Sequence, residues 1–164
     1  SDYLHEPVED TPNYDFFVDN NLHVTTMNAT MREHFGRHPL VYIDFFVDGD
    51  IKSYDDFLNL YKYSIHNGYK EHKYLLESDK ISDEERTIVR KWCDDAEYKM
   101  LNETDVLSSL RVLTKVLYQH FNGSKVFVII DEDDHLLRQS YESMNDGWAL
   151  EEVLETMGHF MEAV

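Results

Sequence analysis

The sequence predicts an α/β domain in which a small parallel sheet is covered by helices. Two apolar segments and the long stretch between them carry that prediction. Leu40-Val-Tyr-Ile-Asp-Phe-Phe-Val47 follows Pro39 and stops at Asp48-Gly49. Lys125-Val-Phe-Val-Ile-Ile-Asp131 follows Asn122-Gly123. Both are β-branched, aromatic and nearly continuous in apolar character, as expected of strands covered on both faces. The helix-patterned stretch between them is far too long for a hairpin, so the chain should cross over and the two strands should run parallel. A weaker strand is expected near Leu22–Thr26.

Four helices are expected. Ser53 caps the first, with Asp56 in place of the usual Glu of a capping box, and Tyr54, Phe57, Leu58, Tyr61 and Ile65 share one face. Ser82 and Glu85 form a regular box for the second, whose inward residues are Ile88, Val89 and Trp92. The third spans about Thr104 to Phe121 and turns Val106, Leu110, Leu113, Leu117 and Phe121 inward. The fourth begins near Asp146, with Leu150, Val153, Leu154, Met157 and Met161 inward and Glu151, Glu152, Glu155 and Glu162 outward. By spacing, the tyrosines at 54, 61, 63, 69 and 74 are mostly helix-face core residues. An exposed subset would suit a protein-binding patch.

At 164 residues the chain is read as one domain, able to bury about two-thirds of its unfolded surface. Residues 1–13 read as an extended acidic arm with Pro7 and Pro12, and residues 14–164 as a single α/β domain. Two or three strands make a small sheet for this class, so the domain looks like a piece of a larger α/β design. A hydrophobic fraction of 42% argues against disorder despite the charge. The longest uninterrupted apolar stretch, Val126 to Ile130, is far too short to cross a bilayer. A first residue of Ser rather than Met suggests a processed or trimmed product.

The net charge is −18, from 33 acidic and 15 basic residues. Such a surface repels nucleic acid and anionic membranes and favours basic protein partners or divalent cations. The first 27 residues contain no Lys or Arg, and from Val126 onward the only one is Arg138. Cys93 is the only cysteine, which rules out an internal disulfide or a thiolate cluster and weakly favours a reducing, cytoplasmic setting. Three glycosylation sequons, at Asn28, Asn102 and Asn122, point the other way. The balance leans toward a secreted chain, with a cytoplasmic one as the alternative.

The sharpest chemical signal is Val126-Phe-Val-Ile-Ile-Asp-Glu-Asp-Asp134. A strand ending in Asp-Glu puts two carboxylates at the carboxyl edge of a sheet, where α/β folds bind ligands. In P-loop ATPases such an Asp orients a magnesium-bound water and the Glu polarises the attacking water. The bland reading is a solvated acidic turn. The nine histidines are dispersed, so no zinc site is expected, and His135 is the best placed for an accessory role. His34 and His38 should not share a helix face, because Gly36 lies between them and Pro39 follows. Asp48-Gly-Asp50 lacks the remaining ligands of a calcium loop. Cys93, beside Trp92, reads as packed and inert.

His34-Phe-Gly-Arg-His-Pro-Leu-Val-Tyr-Ile-Asp-Phe45, Tyr69–Ser78 and Ser108–Phe121 followed by Lys125–Asp134 resemble, in order and spacing, an AAA-ATPase-like domain family that usually precedes a nuclease-like domain. The likeness runs from about Tyr14 to Phe160. It implies a truncated P-loop-ATPase-like domain, in which Asp131 and Glu132 match the Walker B pair and Asp134 the next acid. Asp133 stands where the family usually has Tyr. A P-loop needs two glycines five apart followed by Lys and Ser or Thr. The six glycines here lie at 36, 49, 68, 123, 147 and 158, none closer than 11 residues. No catalytic residue, metal or cofactor is therefore expected. The first reading is a non-catalytic binding or effector protein that meets an unknown protein partner, a basic one suiting the charge, with no nucleic acid and no membrane. The alternative is a nucleotide-binding fragment of a larger ATPase, using Mg-ATP. A divalent-cation site at Asp131, Glu132, Asp133 and Asp134 ranks last, because adjacent acids cannot all face one ion.

Overall fold

The structure is a computed structural model that describes residues 12–20, 22–27, 30, 34–46, 51–143 and 147–162. Its elements are α1 (Pro12–Asp19), β1 (Leu40–Asp44), α2 (Tyr54–Lys70), α3 (Asp83–Cys93), α4 (Glu103–His120), β2 (Phe127–Asp131), α5 (Asp133–Ser143) and α6 (Gly147–Glu162). Short 3₁₀ turns lie at His23–Thr26, Lys73–Glu77 and Glu97–Met100. The described residues are mostly helical, with one two-stranded sheet among them.

The two strands pair in parallel, Leu40 opposite Phe127 through Asp44 opposite Asp131. The crossover between them holds α2, α3 and α4, as the sequence spacing requires. Each strand is shorter than its apolar run. Val47 lies outside the described residues, and Phe45 makes the last ladder bond, its N–H donating to the Asp131 carbonyl at 3.0 Å. The segment near Leu22–Thr26 is a 3₁₀ turn rather than a strand, with the Thr25 and Thr26 hydroxyls bonded to carbonyls three residues back.

The caps decide where the helices begin. Ser53 accepts from the Asp56 N–H, while the Asp56 carboxylate accepts from the Ser53 hydroxyl and the Lys52 N–H. Ser82 and Glu85 form the full box. Asn102 and Asp105 form a second full box that starts α4. Pro12 opens α1 at a position where its missing N–H costs nothing. This places the start of α1 within the stretch expected to be an extended arm. Residues 1–11 are not described.

The core lies between the helices and one face of the sheet. Val41, Ile43 and Phe45 enter it from β1. Phe45 stacks on Tyr61 at 4.5 Å between centroids, and Phe160 of α6 meets Tyr61 edge-on at 5.2 Å. Trp92 stacks on Tyr69, whose hydroxyl donates to the Ser109 carbonyl at 2.6 Å. Val106, Leu110, Leu113 and Leu117 of α4 are buried as expected. Gly68 lets α2 approach β1, since a Cβ there would meet the Tyr42 carbonyl and Ile43 at 3.3 Å. Three assigned core positions differ: Ile88, Leu154 and Tyr63 are exposed. Ile88 and Leu154 stand beyond the margin of their helix stripes, and Tyr63 lies on the side of α2 turned away from the core. The side chain of Met161 is not described.

The other face of the sheet is open. Leu40 and Tyr42 of β1, with Phe127 and Ile129 of β2, keep 45–55% of their surface exposed. Both strands were expected to be covered on both faces, and they are covered on one. Continuous apolar character marks a strand, and here it does not mark burial.

Candidate functional site

The carboxyl edge of the sheet brings together the residues that the sequence singled out. Asp131 ends β2 directly beside Asp44, the last residue of β1. One Asp131 oxygen accepts from the Tyr42 hydroxyl at 2.9 Å, and the other from the Glu132 N–H at 3.0 Å. Hydrogen bonding to Asp131 and the charges of Asp131, Asp44 and Glu132 hold the Tyr42 phenol above its ordinary pKa. Glu132 adopts a left-handed backbone, φ 54°, at the turn from strand to helix. A single such residue costs about 1–2 kcal/mol in an L-amino acid.

Asp133 and Asp134 do not extend the strand end. They form the first turn of α5, where carboxylates favour the positive end of the helix dipole. The Asp133 carboxylate accepts from the Asp134 N–H at 3.0 Å. The sequence predicts no helix here, because α5 buries only Leu136 and Ser140 and shows little apolar period. The four acids are therefore split between a strand end, a turn and a helix. Among the described residues no group of three or more His, Cys, Asp and Glu side chains is arranged to hold a metal ion.

His135 packs its ring 4.8 Å from Phe46, and Arg138 lies 3.4 Å from its Nδ1. Phe46 is 59% exposed and extends the open sheet face to its acidic end. At the opposite end His38 meets Phe127 edge-on at 5.0 Å and bonds the Lys125 carbonyl at 3.2 Å. The turn at Gly36, φ 64°, stacks His34 on His38 although the two share no helix face. The result is a band of aromatic and aliphatic side chains along the open face, with carboxylates at its far end.

The remaining candidates have structural partners. His66 bonds the Trp92 carbonyl at 2.6 Å and Asp95 at 3.1 Å, and stacks on Tyr98. His72 is buried against the Leu40 carbonyl and Tyr74, and burial lowers its pKa to about 4. The Cys93 thiol donates to the Tyr69 carbonyl at 3.4 Å, and burial pushes its pKa up to about 11, far from a reactive thiolate. Asn102 and Asn122 are exposed; Asn102 caps α4 and Asn122 sits in a left-handed turn. Asn28 and Asp48-Gly-Asp50 lie outside the described residues. Glu151, Glu152 and Glu155 point outward on α6, while Glu162's side chain is not described.

Comparison with known proteins gives no match to a protein family, to a curated protein or to a solved structure. No helix among the described residues is long and apolar enough to cross a membrane.

Proposed function

We propose that this chain is a non-catalytic binding or effector domain, descended from an AAA-ATPase-like domain without a P-loop, that acts by docking a basic protein. One observation carries the reading: the open sheet face. Leu40, Tyr42, Phe46, Phe127 and Ile129 form an aromatic-rich exposed patch rimmed by Asp44, Asp131 and Glu132. Exposed contiguous apolar surface of this kind marks contact sites, and aromatic residues dominate their energetics. The carboxylate rim and the net charge of −18 select a basic partner and disfavour a second copy of the chain. The three sequons support a secreted setting, to be checked by glycopeptides from the native source.

The alternative reading, a nucleotide-binding fragment of a larger ATPase, draws on the place of Asp131 and Glu132 at a parallel strand's carboxyl edge. The 164 residues carry no Gly-rich phosphate cradle for it. Isothermal titration with Mg-ATP separates the two. The binding-domain reading expects no heat of binding at millimolar nucleotide. Micromolar binding abolished by Asp131→Ala would give the ATPase reading the lead.

A further inference from the structure

Beside the open face lies a cavity of about 480 Å³, walled by the carboxyl end of β1 and the outer side of α2. Tyr42, Phe46 and Tyr63 give it aromatic surface, and Asp44 and Glu71 give it carboxylates. Among the described residues no Lys or Arg lines it.

Two observations indicate that a cation is wanted there. Asp44 stands opposite Asp131 on the same face of the sheet, a like-charge pair that costs stability. Both Asp131 oxygens are engaged, whereas Asp44 accepts only from the Phe46 N–H, at 2.7 Å through Oδ1. Its Oδ2 has no partner among the described residues. The second observation is the aromatic lining: Tyr42, Phe46 and Tyr63, each about half exposed, offer ring surface beside those carboxylates.

The lining chemistry fits an organic cation better than a metal. Hard divalent ions want six or more oxygen ligands, and aromatic walls supply none. A guanidinium is planar, weakly hydrated, stacks on aromatic faces and donates in a fork to carboxylates. We propose that this cavity receives an arginine side chain of the protein partner. Its guanidinium lies against Tyr42, Phe46 and Tyr63 and donates to Asp44 Oδ2 and Glu71. This assignment rests on the reading that the partner is a basic protein.

Amide NMR titration of the whole chain with N-acetyl-arginine amide tests it, with the neutral isostere N-acetyl-citrulline amide as control. The expected result is saturable shifts at Asp44, Phe46, Tyr63 and Ser64 that citrulline does not produce. Asp44→Asn should weaken the arginine probe on the order of tenfold or more, the scale of one charged hydrogen bond. Glu71→Gln, at the exposed C-cap of α2, gives a second variant if the first fails to fold. Non-saturating shifts spread over Glu151, Glu152 and Glu155 would overturn the assignment, as would a response unchanged by both variants. If the probe fails while the open sheet face still captures a partner, the arginine site falls and the protein-binding reading stands.

Discussion

The two faces of the sheet are built from the same kinds of residue and have opposite surroundings. On one face Val41, Ile43 and Phe45 are buried against α2 and α6. On the other, Leu40, Tyr42, Phe127 and Ile129 are about half exposed, and they run into a carboxylate edge. One face holds the fold together, and the other is free to act. An apolar side chain adds stability only where something packs over it.

Substituting like for like on the two faces puts the sharpest strain on that comparison. Phe45→Ala removes a ring stacked in the core and should cost about 3–5 kcal/mol in chemical denaturation. Phe127→Ala on the open face should cost under about 1 kcal/mol. Equal losses would mean that the open face is covered in solution and that the comparison fails.

The next effect comes from His72, buried beside Leu40 of β1. Its folded pKa of about 4 lies below its ordinary value of 6.5, so the unfolded chain takes up the proton first as pH falls. Stability from this group is therefore complete above pH 6.5, falls as the pH drops toward 4, and levels off below that. The full loss is about 3 kcal/mol, from the size of the shift. Denaturation midpoints from pH 7 to 4 check this, and His72→Gln should flatten the curve over that window. Asp56, Asp94 and Asp95, whose pKa values are lowered by hydrogen bonds and ion pairs, act in a separate window below their ordinary values near 3.8.

A smaller effect separates local from tertiary stabilisation. Ser82→Ala breaks the capping box of α3 and should cost about 1 kcal/mol, read by thermal unfolding. It should leave the open face and any partner binding unchanged.

Much of the stabilising side of this comparison was legible in the sequence. The parallel pairing followed from the length of the crossover, and the Ser53 and Ser82 caps and the Leu110-to-Leu117 stripe are local patterns with one physical meaning each. The openness of one sheet face was not legible, because burial depends on what the rest of the chain brings to a strand. Helix α5 was hidden because Asp133 and Asp134, read as strand-end acids, serve as its dipole-favoured first turn. The helix expected from about Thr104 starts at Glu103, where the Asn102–Asp105 box caps it. Of the candidate site, Asp131 and Glu132 were found from the strand-end motif. Asp44 and Tyr42 were missed, since only the strand register brings them beside Asp131.

The central claim is that the open sheet face is the contact surface. Site-specific photo-crosslinking tests it most directly, with the crosslinker at Phe127 in one sample and at Met100, an exposed apolar residue far from the sheet in sequence, in another. In material from the native source, one defined basic protein should be trapped from position 127 and not from position 100. Adducts that form equally from both positions, or only from position 100, would contradict it.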